Sequence, residues 1–246
     1  MVGVLLFPIL AEAQSEEERR PLGFVEVTGA WGVQLGQTDY LPDDAPDEFK
    51  HPIANGWTVG GTVGWSFARN LAVFADYQFR TAWTRHGEIP TVLDDVQGRV
   101  HYHTISAGVR MYRPLSFGAL RADLAIGMVP PFHTKLKFEY GPALAAAGIE
   151  GEGTMENNFG WAFGMQAELG YEIPVGPLYL AFGFGVRGFQ GNDNDHDTKL
   201  DNFVVDLAAR PPVATTAVIR HGDFGDRPMT YALSDVTARL SLGVWF

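Results

Sequence analysis

The sequence of 246 residues contains no cysteine. A disulfide framework, a thiolate metal site and a cysteine nucleophile are therefore excluded. Charged residues are also scarce, at 19%, below the roughly 25% of an ordinary soluble domain. Acidic residues outnumber basic ones, 29 to 18, and the net charge of −11 argues against a nucleic-acid groove, so no nucleic-acid partner is expected.

Long apolar runs are missing too, since no stretch approaches the roughly 18 residues that a membrane-spanning helix needs. Residues 2–10 are apolar but form a short run, and residues 11–13, Ala-Glu-Ala, follow with the small-x-small pattern that a signal peptidase reads. We predict a signal peptide over residues 1–13. Residues 14–22 are polar and lack periodicity, which predicts a flexible tail. An N-terminal strand of a soluble fold is the alternative for the apolar run.

Glycine and aromatic residues are abundant, with 29 Gly, 17 Phe, 8 Tyr and 6 Trp, and this composition favours strands and turns. From residue 23 onward, apolar and polar residues alternate with period two over about ten residues at a time, as in outer-membrane barrels. Residues 57–67 show this best, with Trp57, Val63 and Phe67 on one face. The other face is small and hydroxylated instead of carrying Lys and Glu, which indicates a narrow lumen and not bulk water.

The alternation predicts eight strands, near residues 23–36, 57–67, 70–83, 99–112, 118–130, 158–173, 177–191 and 231–246. The intervening connections alternate between short (68–69, 113–117, 174–176) and long (37–56, 84–98, 131–157, 192–230). A soluble barrel has no physical reason to segregate loop length by side, whereas an outer-membrane barrel does so. The predicted fold is all-β: residues 23–246 form an eight-stranded antiparallel transmembrane up-and-down β-barrel with short periplasmic turns and long extracellular loops.

The last strand carries alternating apolar residues and ends on an aromatic one, with Leu240, Leu242, Val244 and Phe246 on one face. In this respect the chain resembles the small outer-membrane β-barrel superfamily, which includes the transmembrane domain of outer membrane protein A and the X and W outer membrane proteins. The resemblance covers residues 23–246 in architecture. It implies that these four residues form the signal read by the barrel-assembly machinery, and that the protein lies in the bacterial outer membrane.

Strand parity directs a set of charged side chains into the lumen, namely Glu26, Asp76, Arg80, Arg110, Arg121, Asp123, Glu168, Glu172, Arg187, Asp235 and Arg239. The set holds six acids and five arginines. Because a lumen of eight strands is barely wide enough for its own side chains, these charges must pair. We predict an ion-paired, filled interior, with a gated narrow path through the network as the alternative.

Aromatic residues near the strand ends predict two interface belts. The outer belt comprises Trp57, Trp83 and Trp161, and the inner belt comprises Trp65, Phe67, Tyr171, Trp245 and Phe246.

Two motifs raise the possibility of chemistry in the loops or near them. Asp193, Asp195 and Asp197 are spaced like calcium ligands, but the Gly and the bidentate Glu of an EF-hand are absent from the expected positions. A looser calcium site is the open alternative. His101 and His103 share one strand face, whereas a lipid-modifying barrel would need a serine beside them, and Ser106 falls on the opposite face. We therefore predict no catalytic residue, no metal centre and no cofactor.

The long loops carry most of the net negative charge. The third loop contains residues 132–140, which continue the alternation of the fifth strand and predict a hairpin wall with residues 151–157. The expected function is that of a structural or surface-interaction protein acting through its acidic external loops. A narrow channel for small or apolar solutes is the alternative, and a lipid-modifying enzyme is the third possibility. Expected partners are outer-membrane lipid and lipopolysaccharide, the barrel-assembly machinery and an extracellular partner of the loops.

Overall fold

Thirteen strands and one short helix make up the part of the chain that the structure describes. The structure is a computed structural model that describes residues 23–35, 53–84, 87–89, 93–149, 151–193, 197–206, 213–220 and 229–246. Its elements are β1 Gly23–Gln34, β2 Ile53–Ala68, β3 Leu71–Thr84, β4 Gly87–Ile89, β5 Leu93–Pro114, β6 Ala119–Val129, β7 Phe132–Tyr140, α1 Pro142–Ala146, β8 Glu152–Phe159, β9 Ala162–Val175, β10 Leu178–Asp193, β11 Asp197–Asp206, β12 Val213–Arg220 and β13 Met229–Trp245.

Eight of these strands close into an antiparallel barrel in the order β1, β2, β3, β5, β6, β9, β10 and β13, with β13 pairing back to β1. A path that starts at Gly23 and steps from each residue to the one directly opposite on the next strand returns to β1 at Val33 after one circuit of the barrel. The stagger of the barrel is therefore ten residues. A stagger of this kind requires strands tilted by roughly 35–45°. The two chain ends meet, because Gly23 and Phe246 exchange both backbone hydrogen bonds, at 2.9 and 3.0 Å.

The two faces of the barrel have opposite character, as the alternation predicts. Along β2, the outward side chains of Val59, Val63 and Phe67 are 57%, 54% and 59% exposed, whereas the inward Thr58 and Thr62 are buried. Exposed apolar side chains surround the barrel in the same way on the other strands. A closed sheet with an apolar exterior suits a bilayer, because every backbone polar group is paired within the sheet. Among the described residues, no helix has the length and hydropathy needed to cross a membrane.

Connections at the periplasmic end are tight turns, as predicted. Two of them place glycine in the left-handed region, Gly118 at φ +95° and Gly176 at φ +63°, where a side chain would be strained. The signal peptide and tail predicted for residues 1–22, and most of the first long loop, lie outside the described residues.

The connections at the extracellular end contain strands that the alternation did not predict. The connection at 84–98 includes β4 and the beginning of β5, and the connection at 192–230 includes β11 and β12. Residues 132–140 do pair with residues 152–159, so the predicted hairpin is confirmed. Beyond the barrel, β5 leaves β6 and pairs with β7, and the sheet continues through β8 and β11 to β12. The change of partner coincides with Pro130 and Pro131, which lack the N–H needed to continue a ladder.

Candidate functional site

The lumen is lined by polar and charged side chains that strand parity directs inward. Ten of the eleven predicted lumen residues lie within ion-pair distance of an opposite charge, and the structure arranges them in two linked groups. Burial is nearly complete, since Arg80 and Arg110 are 0% exposed. Charges so far from water are stable only when paired and hydrogen-bonded.

Arg110 on β5 is the centre of the periplasmic group. Its Nε and Nη2 donate to Asp123 Oδ1 and Oδ2, both at 2.8 Å, in the bidentate geometry that guanidinium favours. Nη1 and Nη2 also donate to the two oxygens of Glu26, at 2.5 and 3.1 Å. The ring of Phe24 lies 4.6 Å from the guanidinium carbon, and that of Phe74 lies 5.5 Å from it, which adds cation–π contacts.

Arg121 and Arg239 extend this group across the lumen. Arg121 donates to Glu26 at 2.9 Å and to Glu168 at 2.5 Å. Arg239 donates to Glu168 Oε2 at 3.3 Å, and its Nη2 lies 3.2 Å from Asp76 Oδ1. The same Nη2 lies 2.8 Å from the hydroxyl oxygen of Thr28. Each arginine therefore connects carboxylates that belong to different strands.

The extracellular group is built around Asp235 on β13. Arg187 donates to both oxygens of Asp235, at 2.9 and 3.0 Å, and Arg80 donates to Asp235 Oδ2 at 2.5 Å. Gln78 joins the two groups, because it accepts a hydrogen bond from Arg187 and donates one to Asp76. The hydrogen-bonded network is thus continuous through the middle of the barrel.

Five arginines and five carboxylates form this network, so its charges balance. The sequence analysis placed Glu172 in the network, and the structure corrects this. Among the described residues, no basic side chain lies within ion-pair distance of the Glu172 carboxylate. It accepts a hydrogen bond from Trp245 Nε1 at 3.1 Å, while its Oε2 has no partner within the described part of the chain. The reason is the position of Glu172 along the barrel axis: it pairs with Ala119 at the periplasmic end of β6.

Aromatic clusters lie at both ends of the network. The extracellular cluster includes Phe132, Phe159 and Tyr231, whose rings are 4.8 to 6.0 Å apart. The periplasmic cluster packs Trp245 against Phe24, with ring centroids 5.1 Å apart, together with Tyr112 and Tyr179.

The prediction that Trp245 belongs to the inner belt is therefore wrong, because its ring faces the lumen and not lipid. It shares the parity of Arg239 and Ser241 on β13, both of which are buried. The other predicted belt tryptophans, Trp57, Trp65, Trp83 and Trp161, are 40 to 55% exposed on the outer face.

A small cavity of about 20 Å³ lies between the two groups, beside Gln78, Asp123 and Arg239. This is the room of about one water molecule.

The remaining sequence motifs do not assemble into a catalytic or metal site in the described part of the chain. His103 is exposed on the outer face, where its Nδ1 lies 2.7 Å from the hydroxyl of Tyr77, while Ser106 is buried in the lumen. Asp193 ends β10 and Asp197 begins β11, but Asp195 lies outside the described residues. Among described residues no cluster of three or more potential metal ligands occurs.

Among the described residues, the side chains of Thr28, Thr62, Tyr179 and Ser241 also hydrogen-bond to the network, and the sequence analysis did not assign them to it. Tyr179 donates to Glu26 at 2.9 Å. Parity alone could have found it, because Tyr179 shares the face of Arg187 on β10. Of the predicted assembly signal, Leu240, Leu242 and Phe246 are about half exposed or more on the outer face, and Val244 follows the same parity.

No protein-family model matches the chain, and no curated protein matches it. Among solved structures it is similar to Neisserial surface protein A, with 11% identity and a TM-score of 0.40 over 91% of this chain and 97% of that one. It is similar to outer membrane protein AlkL, with 12% identity and a TM-score of 0.41 over 95% and 94%. The outer membrane protease OmpT from Escherichia coli shares 7% identity and a TM-score of 0.32 over 95% and 100%. The closed sheet, apolar exterior and ionic interior give the chain the architecture of a small eight-stranded β-barrel of the bacterial outer membrane.

Proposed function

We propose that the protein is a non-conducting outer-membrane barrel that acts as a structural or surface-interaction protein. The observation that carries this proposal is the continuous network of five arginines and five carboxylates between two aromatic clusters. A hydrated ion would have to displace several buried ion pairs to pass, which costs several kcal/mol for each charge left without its partner. Functional contacts would then belong to the external sheet and the acidic loops, and not to the lumen.

The test is single-channel recording of refolded protein in planar bilayers, with Arg239→Ala as the variant. We expect no conductance from the wild-type protein. Because Arg239 connects Glu168 to Asp76, its loss should lower thermal stability while conductance stays absent. Porin-like conductance of the wild type would overturn the proposal, and new conductance of a stable Arg239→Ala variant would instead favour a gated path.

A narrow channel for small or apolar solutes is a second candidate, favoured by the β7–β8 hairpin. Leu136 and Phe138 form an apolar inner side of this hairpin, and they are only 4% and 3% exposed. An apolar solute would reach this surface only when the side chains packed against it move aside. Solute uptake by proteoliposomes that conduct no ions would favour this candidate over the first.

The partners proposed for the chain follow from its architecture and sequence. Outer-membrane lipid, including lipopolysaccharide, contacts the apolar exterior, and the barrel-assembly machinery reads Leu240, Leu242, Val244 and Phe246. An extracellular partner would bind the loops. We propose no enzymatic activity, because His103 and Ser106 lie on opposite faces of β5.

A further inference from the structure

A basic groove lies on the outer face of the barrel wall, at its extracellular end. It is an open depression of about 520 Å³ on β3, β5 and β7, lined by Trp83, Arg99, His101, His133, Lys135 and Lys137. All six side chains are exposed. A concentration of cations is unexpected on a chain with a net charge of −11.

Like charges face each other across this groove. Arg99 lies directly opposite Lys135 in the β5–β7 register, and Lys137 follows two residues along the same face of β7. Like charges directly opposite each other on neighbouring strands destabilise a sheet. An anion bound between these strands would relieve this repulsion.

The carboxylates of the described residues leave most of this charge uncompensated. Lys135 donates to Glu156 on β8 at 2.5 Å, and this hydrogen bond holds the pKa of the Glu156 carboxyl below its usual value. Among the described residues, neither Arg99 nor Lys137 has a carboxylate within ion-pair distance. Glu139 shares the face of Lys137 but lies farther from the membrane and does not line the groove.

The groove lies beside Trp83 of the predicted outer belt, which is where the outer-leaflet headgroups of an outer-membrane barrel would be. Trp83, a member of the outer belt, lies directly opposite Arg99 in the β3–β5 register. Along the outer face of β5 toward the periplasm, the basic residues give way to Ile105 and Val109, which are 45% and 41% exposed. The transition from cationic to apolar side chains beside a tryptophan is typical of a membrane interface.

We infer that the basic groove binds the phosphate groups of a phosphorylated lipid of the outer leaflet, with Arg99 and Lys137 as the principal contacts. Guanidinium and ammonium groups are the usual partners of phosphate oxygens, and the groove opens where such headgroups lie. A lipid is favoured over an acidic protein because its acyl chains would lie against the apolar surface directly below. The inference rests on the outer-membrane placement in the proposed function and assigns a specific site on that surface.

The experiment is a titration of refolded protein in detergent micelles with bis-phosphorylated lipid A, with bound lipid counted by native mass spectrometry. We expect R99A/K137A to bind about tenfold more weakly or worse, because two charge-assisted contacts are lost. The matched control is R69A/R113A, which removes two positive charges at the periplasmic end of the barrel, one in the turn between β2 and β3 and one at the end of β5. This control should bind like the wild type.

Two further arms identify the ligand chemistry. Phosphate-free lipid A should bind the wild type about as weakly as the bis-phosphorylated lipid binds R99A/K137A, and this arm requires no variant to fold. Millimolar inorganic phosphate should not displace the lipid.

Equal weakening of R99A/K137A and R69A/R113A would overturn the inference in favour of a diffuse charge effect. Equal binding of both lipids by the wild type, or displacement by free phosphate, would also overturn it. A conducting lumen would instead contradict the proposed function and leave this binding unchanged.

Discussion

Arginine is suited to this lumen because one side chain can serve several acceptors in a fixed plane. Arg110 satisfies both oxygens of Glu26 and both oxygens of Asp123, and Arg239 reaches acceptors on β1, β2, β3 and β9. A lysine ammonium, with three donors at one point, could not span these distances. The network therefore connects strands that are not neighbours in the sheet.

Removal of Arg110 should be strongly destabilising. In Arg110→Met, Glu26 and Asp123 stay buried without their principal cation, so we expect a loss of about 3–5 kcal/mol in the free energy of unfolding. Urea unfolding in detergent micelles measures it. The control is Glu172→Gln, which removes a carboxylate that has no ion pair among the described residues and should change stability by less than about 1 kcal/mol. Equal effects of the two variants would show that the network does not stabilise the barrel.

Parity predicted the face of each lumen residue from the sequence, but not its level along the barrel. Glu172 shows the difference. It faces inward, yet its partner is Trp245 at the periplasmic end and not an arginine, because strand stagger sets the level. Stagger arises from contacts between strands that are distant in sequence, so a single strand carries no record of it. Trp245 could have been assigned by counting from Arg239, whereas the isolation of Glu172 could not.

At the scale of the strand, β13 combines two roles, closing the barrel and ending it on an aromatic residue. Phe246 is bonded through its backbone to Gly23, while its side chain is 64% exposed. The ring therefore contributes little burial to the folded state. We therefore predict that its role lies in assembly and not in stability.

Phe246→Ala should separate assembly from stability. We expect the variant to refold in vitro with a stability within about 1 kcal/mol of the wild type, because little apolar surface is lost. In cells we expect several-fold less folded protein in the outer membrane, measured by quantitative immunoblotting of membrane fractions.

Phe67→Ala is the matched control for assembly, since Phe67 is 59% exposed at the periplasmic end of β2 but is not terminal. It should assemble normally. Similar cellular levels of the two variants would contradict a role for Phe246 as an assembly signal.

The membrane strands were predictable because side chains that face lipid are apolar on every strand, which produces the alternation. Outside the membrane that rule no longer applies, and β4, β11 and β12 were missed. The β7–β8 hairpin was found because β7 retains the alternation, with Phe132, Leu136 and Phe138 on one buried face. Pro130 and Pro131 mark the end of β6 in the sequence, but they do not show which strand β5 pairs with above the barrel rim, so its new partner β7 could not be predicted.

At the scale of the whole molecule, closure makes the distribution of polarity possible. A cylinder has no free edge, so apolar side chains can cover the outside while the backbone stays paired. The same closure brings charges from seven of the eight barrel strands into one lumen: Glu26, Asp76, Arg110, Asp123, Glu168, Arg187 and Asp235 each come from a different strand. An open sheet would lose both the paired edge and the charge balance.

Closure between β1 and β13 can be tested directly, because the chain has no native cysteine. Thr28 and Ser241 oppose each other in the register, and their hydroxyl oxygens lie 3.0 Å apart, so T28C/S241C should form a disulfide during oxidative refolding. The bond would close a loop of nearly the whole chain and change the mobility of the denatured protein on a non-reducing gel. T28C/T237C is the control, because Thr237 lies opposite Gly32, about 13 Å along the strand from Thr28, and it should remain reduced. Free thiols in T28C/S241C after refolding would mean that the two strands are not neighbours and that the sheet is open.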